Sequence, residues 1–372
     1  MSSPIHAPAC FAQSYAQARG LFLAAARAAG LDVHSHAHPL PGRDGEPLAT
    51  DVARFGAADA EALLILSSAC HGVEGFCGSG VQNALLADAE FHRRAAAAGV
   101  AVLYVHGLNP WGFSWWRRWT HENVDLNRNF QDFDAAPALP ANPGYDALAQ
   151  ALVPDTWPAP EADAVLYAYL AEHGPRAIQR AISGGQYSHP EGLFYGGAAP
   201  TWSNLTLRAI LAEHASRCAR LGWIDLHTAL GPCGHGERIA HARPGDSAGL
   251  ARARAWWGEQ VTSLYGDDCV SAELAGNMWH LAYQACPQAE YTGIGLEYGT
   301  VPSEEVLMAL RGDQWLSRHP EADAGTREAI KRRLRDAFYV DTDHWKERIV
   351  EQALDAAHQA LDGLAARTGA PA

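Results

Sequence analysis

No two cysteines in this 372-residue chain stand in a C-x-x-C pair, and the seven present, Cys10, Cys70, Cys77, Cys218, Cys233, Cys269 and Cys286, are odd in number and scattered. A disulfide framework is therefore not expected, and the thiols are read as reduced. Long apolar runs are missing too. No window approaches the roughly 18 uncharged apolar residues of a membrane helix, and MSSPIHAPACFAQSYAQARG lacks the basic start and apolar core of a leader. The expectation is a soluble, cytoplasmic protein with no membrane partner. Positive charge is scarce: 28 Lys and Arg against 42 Asp and Glu leave a formal net charge of -14. Binding a phosphate backbone draws on clustered Lys and Arg, so no nucleic-acid partner is expected. Internal repeats and low-complexity tracts are absent as well.

What is present describes an ordinary globular chain, with 48% hydrophobic and 19% charged residues, 35 Gly and 21 Pro. Short continuous apolar runs, ALLILSS (62–68) and VAVLYVHG (100–107), have the character of strands buried on both faces. LGWIDLHT (221–228) and TGIGLEYGT (292–300) are two further strand candidates. Helical patterns are expected over 11–29, 81–98, 161–180, 204–220, 247–264 and 326–364, the first two closed by Gly30 and Gly99. Strand, helix, strand over 62–107 indicates a parallel crossover unit, and the whole an α/β sandwich with a mostly parallel central sheet. One domain over 1–372 is expected. It carries a Pro- and Ala-rich insertion near 131–160 and a helical C-terminal segment over 322–366.

The stretch SSACHGVEGFCGSG follows the first buried run and puts His71 and Glu74 three apart among glycines. In open parallel sheets, ligands gather outside the carboxyl ends of the strands, which is where this glycine-rich loop is expected. His227 ends WIDLH in the same way, before the glycine-rich TALGPCGHGE. Two histidines and one carboxylate make a metal set with a fourth position open for water, as catalytic zinc sites have. Glu297, at the end of GLEYGT, could move protons there. A lone loop histidine is more often solvated or packed in a core, and H-x-x-E alone is a weak pattern. The weight comes from three strand ends that each deliver such a residue.

NPWGFSWWRRWTHENVDLNRNF (109–130) follows the second buried run. The planar fork of Arg128 beside the neutral donor of Asn127 suits a substrate carboxylate. The plainer alternative is a turn in which Asp125 and Asn127 bond local backbone and Arg128 pairs with a surface acid.

HGVEG, NVDLNRNF, DLHT and GLEYGT, in that order, resemble the zinc carboxypeptidase superfamily. Within it the chain looks most like an uncharacterised bacterial branch near the aspartoacylase and succinylglutamate desuccinylase enzymes, with GGQYSHPEGLFYGG and GHGE also typical of that branch. The resemblance implies a carboxypeptidase A-like fold, a three-layer sandwich with a mostly parallel mixed sheet flanked by helices. It implies His71, Glu74 and His227 as ligands of one zinc ion and Glu297 as general base and later general acid. It further implies Asn127 and Arg128 as the grip on a terminal carboxylate, and Asp125 as the carboxylate orienting a ligand histidine. An upstream arginine should polarise the scissile carbonyl. Arg117 and Arg118 are the candidates, with Arg118 preferred. A covering tyrosine has no assignable counterpart, with Tyr187, Tyr195, Tyr291 and Tyr298 available. The implied activity is hydrolysis of an amide next to a free carboxylate, as a carboxypeptidase on peptides or short peptide-like substrates, or else as an aspartoacylase-like deacylase of N-acyl amino acids.

Two other classes compete. PGDSAG fits a G-x-S-x-G nucleophile elbow with Ser247 as nucleophile. The polar GERIAHARP before it meets a proline where a buried strand should run, and Asp246 or Ser247 capping a helix explains the same letters. A non-catalytic binding protein on the same fold is the third class. The intact set of candidate ligands together with Glu297 argues against it.

Overall fold

Why ALLILS and VAVLYVH hold no polar residue before their ends is visible in the centre of the sheet: both strands are buried along their whole length. The computed structural model describes residues 5–134, 139–266 and 268–366. Its strands are β1 (Val33–Ala37), β2 (Ala49–Phe55), β3 (Ala62–Ser67), β4 (Val100–His106), β5 (Arg220–Cys233), β6 (Gly236–Ala240), β7 (Thr262–Ser263) and β8 (Glu290–Gly299). They form one eight-stranded sheet in the order β1-β2-β4-β3-β5-β8-β6-β7. The four central strands, β4, β3, β5 and β8, are mutually parallel, so their carboxyl ends share one edge. β1, β2 and β6 join antiparallel to their neighbours toward that centre, which makes the sheet mixed.

Alternation along β3 divides the core. Leu64 and Leu66 pack with Phe22, Phe76, Trp257 and Ile349 on one face, and Leu63 and Ile65 with Leu207, Ile210 and Trp223 on the other. Helices thus cover both faces. A third cluster, with Val73, Trp119 and Ala229, draws on the helices Pro143–Leu152, Pro160–His173, Pro175–Ser183, Ser303–Arg318 and Ala324–Phe338.

Several elements differ from the sequence expectation for identifiable reasons. The glycines after Glu74 do not form a loop: the helix Gly75–Ala87 begins there. They serve close packing instead, since a Cβ on Gly78 would lie 2.6 Å from Ser68 Cβ and one on Gly75 2.5 Å from Phe113 Cδ1. The helix expected over 81–98 is two helices, because Asp88 breaks the first and caps the second by accepting from the Glu90 and Phe91 amides. Gly174, at φ 84°, divides 161–180 into two, and Gly258, at φ 97°, ends the helix Ser247–Trp257 early. The long C-terminal pattern divides at Thr342, which caps Asp343–Ala365. Within 131–160 lies the helix Pro143–Leu152, capped by Asn142, while residues 135–138 fall outside the described residues. Among the described residues no helix is long and apolar enough to cross a membrane.

Candidate active site

Beyond β3 the chain bends, with Ala69 at φ 58°, and enters through His71 the short turn Gly72–Glu74, whose amides at Gly72 and Val73 donate to the carbonyls of Arg118 and Arg117. The turn brings residues three apart onto one side, so His71 Nδ1 lies 2.9 Å from Glu74 Oε1. On β5, strand alternation puts Asp225 and His227 on the same face, and the parallel register sets His227 directly opposite Glu297 of β8. His227 Nδ1 lies 3.2 Å from Glu74 Oε2. One ligand atom from each of His71, Glu74 and His227 falls within 4.8 Å of the others, so the three form a group that could hold a metal ion.

Behind each histidine stands a carboxylate. His71 Nε2 is 3.2 Å from Asp125 Oδ1, and His227 Nε2 is 2.5 Å from Asp225 Oδ2. Both rings therefore turn Nδ1 toward Glu74 and Nε2 toward an aspartate. In this arrangement an outer carboxylate fixes the tautomer and raises ligand basicity. Asp225 is itself held, accepting 2.5 Å from Ser67 Oγ, which in turn accepts 2.7 Å from Trp223 Nε1. His71 Nδ1 is buried and, although Glu74 Oε1 lies 2.9 Å away, it makes no well-directed hydrogen bond among the described residues. An orphaned imidazole nitrogen facing a carboxylate and a second imidazole is the donor set of a divalent metal such as zinc, and the residues fit one.

Asp225 was missing from the sequence reading. The signal is present in WIDLH, where an acidic residue two before the histidine must share its face. Asp225→Asn is expected to lower affinity for a divalent metal by roughly 10- to 100-fold. Competition against a chelator of known affinity would measure this, and unchanged affinity would deprive Asp225 of an orienting role.

The two upstream arginines diverge. Arg117 turns to Asp313 (3.0 Å) and Gln314 (2.8 Å), away from the histidines. Arg118 is buried at the site, donating from Nη1 to Glu74 Oε1 (2.9 Å) and from Nε to Asp125 Oδ2 (3.2 Å), with Nη2 2.8 Å from His71 Nε2. Burial opposes the charge of Asp125, but Arg118, Arg128 and His71 outweigh it and hold that carboxyl well below the usual range. For Glu74, burial is likewise outweighed by the facing histidines and Arg118. Glu297 goes the other way: burial and the nearby charge of Glu74 push it up to about 7. Its Oε1 accepts from the Leu230 amide at 3.0 Å.

Arg128 is pinned rather than surface-paired. Nε and Nη2 donate to the Ser183 carbonyl (3.1 and 2.6 Å) and Nη1 to the Asn127 carbonyl (3.0 Å), with Asp125 Oδ1 3.8 Å away. A guanidinium has five N–H donors, so two remain uncommitted among the described residues. Asn127 Oδ1 accepts from the Met278 amide at 2.9 Å, leaving its amino group available. The GGQYSHPEGLFYGG segment wraps this arginine. Gly185, at φ 103°, lies where a Cβ would come within 2.8 Å of Arg128 Cδ, and Tyr187 donates its hydroxyl to the Arg128 carbonyl at 2.7 Å.

His71, Glu74, Arg118, Asn127, Arg128, His227 and Glu297 all line one cavity of about 560 Å³. The four tyrosines considered from sequence do not line it; Tyr167 of the helix Pro160–His173 does. Ser247 is exposed at the start of its helix and outside that lining, with Asp246 capping the helix by accepting from the Gly249 amide at 2.7 Å. The elbow expectation fails there because the segment leading to Ser247 is a turn, not a strand.

Fold and site define an α/β protein with a buried His–Glu–His group at the carboxyl edge of a mixed sheet. The chain belongs to the family described as "Protein of unknown function (DUF2817)", matched over residues 11–352. No curated protein matches it. Among solved structures it is similar to bovine thrombin-activatable fibrinolysis inhibitor in complex with tick carboxypeptidase inhibitor, at 12% identity over 95% of this chain and 97% of that one, TM-score 0.48. It is also similar to a second structure of thrombin activatable fibrinolysis inhibitor, at 12% identity over 82% and 76%, TM-score 0.44. A third is murein-tripeptide amidase MpaA from Escherichia coli O157, at 14% identity over 76% and 91%, TM-score 0.32.

Proposed function

We propose that this chain is a zinc-dependent hydrolase that cleaves an amide bond next to a free carboxylate, acting on peptides or short peptide-like substrates, N-acyl amino acids among them. The observation that carries this is the convergence of two imidazole Nδ1 atoms on one carboxylate, each imidazole backed by its own aspartate, with Glu297 opposite His227 in the same cavity. His71, Glu74 and His227 would hold the metal, which when bound supplies Lewis acidity toward the amide carbonyl and a lowered pKa for water.

The chain's own residues account for the rest. Glu297, paired in register with His227 and lining the same cavity, can take a proton from the attacking water and return it to the leaving amine. Arg118 places a fixed positive charge at the cavity wall, where negative charge develops on the carbonyl oxygen. Its bonds to Glu74 and Asp125 hold it in place before substrate arrives. Asn127 and Arg128 offer neutral and charged donors to the substrate's α-carboxylate.

Arg128 supplies the test. A substrate with a free α-carboxylate should be hydrolysed far faster than its carboxamide. Arg128→Ala should cost roughly 2–5 kcal/mol in kcat/KM on the free acid, with little change on the carboxamide. Arg128→Lys should recover only part of the loss, because an ammonium cannot reproduce the fork. Equal hydrolysis of acid and carboxamide by the unaltered enzyme would refute carboxylate recognition.

A further inference from the structure

The apolar residues that line the cavity beyond the histidines belong to two different parts of the core. On one side Ile239, Leu264 and Trp279 come from the cluster beneath the sheet, next to Asn127, which is bonded to Met278. The leaving amino acid belongs there, because its α-carboxylate goes to Asn127 and Arg128. On the other side Leu166, Ile178, Ile182, Leu230, Val306 and Leu307 come from three helices and the end of β5. At its mouth stand Tyr167, 54% exposed, and Leu170, 37% exposed.

The polar side chains along this second lobe are already committed to protein partners. Asp163 pairs with Arg311 at 2.5 Å and Tyr167 donates to Glu304. Gln179 donates to the Val270 carbonyl at 2.6 Å, Ser183 to the Gln179 carbonyl at 2.8 Å and Thr228 to the Phe338 carbonyl at 2.7 Å. Ser303, exposed at the rim, and Ser271, beside the Val270 that Gln179 holds, line the cavity with hydroxyls that have no partner among the described residues. A peptide entering this lobe would bring an N–H and a C=O with every residue, and the side chains around it leave few free donors for the C=O groups. Burying such groups unpaired is costly, whereas a hydrocarbon brings none.

We propose that this lobe takes an unbranched aliphatic acyl chain, so that the substrate class is an N-acyl amino acid with a hydrocarbon acyl group. The proposal rests on the amide-hydrolase reading of the site. It is tested with zinc-loaded enzyme on N-acyl-L-phenylalanines whose acyl group grows from acetyl to decanoyl, beside tripeptides of matching length ending in the same residue. From acetyl upward, kcat/KM should rise by roughly four-fold per methylene, the worth of about 0.8 kcal/mol per buried CH₂, until the lobe is filled. The tripeptides should be poorer than acyl chains of equal length. In Ile178→Gln and Leu307→Gln the decanoyl-to-acetyl ratio should fall at least ten-fold. Leu205→Gln, on an exposed position outside the cavity, should leave it unchanged. A flat or falling series, or a preference for the tripeptides, overturns the proposal. Binding separates it from the reading it rests on, using Glu297→Gln and titration calorimetry. If N-decanoyl-L-phenylalanine binds far more tightly than the acetyl compound, with a negative heat-capacity change that Ile178→Gln abolishes, the lobe stands even if no amide is turned over. Equal affinities for the two compounds would refute it.

Discussion

Replacing His227 with Ala should leave purified protein with almost no bound zinc where the unaltered chain is expected to hold one ion, and turnover should fall to background. The same result is expected for His71→Ala and Glu74→Ala, because a three-residue set has no spare donor. Losing His227 also strands Asp225, a buried carboxylate whose Nε2 partner lies at 2.5 Å. Breaking a buried pair from one side typically costs about 3–5 kcal/mol, so His227→Ala should be less stable than metal loss alone explains. His227→Ala with Asp225→Asn should recover part of that stability without recovering metal. Metal analysis by mass spectrometry and denaturant titration measure the two effects separately. A chain that keeps full activity after exhaustive chelation would overturn the metal assignment.

Glu297→Gln should keep zinc and bind substrate while the chemical step slows by something like 10²–10⁴, the usual contribution of a general acid or base. Glutamine preserves volume and can still accept from the Leu230 amide through its carbonyl oxygen, so the local backbone has no reason to move. What disappears is the exchangeable proton. Single-turnover rates with metal content measured on the same sample would show the effect on chemistry alone. Near-normal turnover would exclude Glu297 as the proton carrier. The nearest acid across the sheet is Glu237, directly opposite on β6, but its carboxylate is engaged by Thr262 Oγ1 at 2.5 Å and by the Val270 amide. Glu237→Gln is therefore expected to change turnover little.

Much of this protein can be read from local pattern. Short continuous apolar runs suit strands buried on both faces, and with a helix between them ALLILS and VAVLYVH point to a parallel pair; the mixed sheet with helices on both faces agrees with that expectation. His71 follows β3, and His227 pairs with Glu297 just past the level where β3 ends at Ser67 opposite Asp225, so position along the central runs is enough to name the three together, although β5 and β8 continue beyond them. Glycine was less informative, because the same residue serves in a loop and in a helix packed hard against its neighbour. GFCGSG is the second case, since Phe113 and Ser68 leave no room for a Cβ at Gly75 and Gly78.

Tertiary structure alone decided the matters that depend on which surface a side chain meets. Arg117 and Arg118 are adjacent and chemically identical, and only the position of the helix Ser303–Arg318 draws one to Asp313 and leaves the other beside Glu74 and Asp125. The wrapping of Arg128 by Gly185 and Tyr187, nearly sixty residues away in sequence, is of the same kind. So is the apolar lobe, assembled from three helices that no periodicity relates to one another. Residue type and strand position determine what chemistry a chain can present at an edge. Which of those groups are paired, freed or turned into a common cavity depends on contacts distant in sequence, and those exist only once the sheet and its helices have closed on each other.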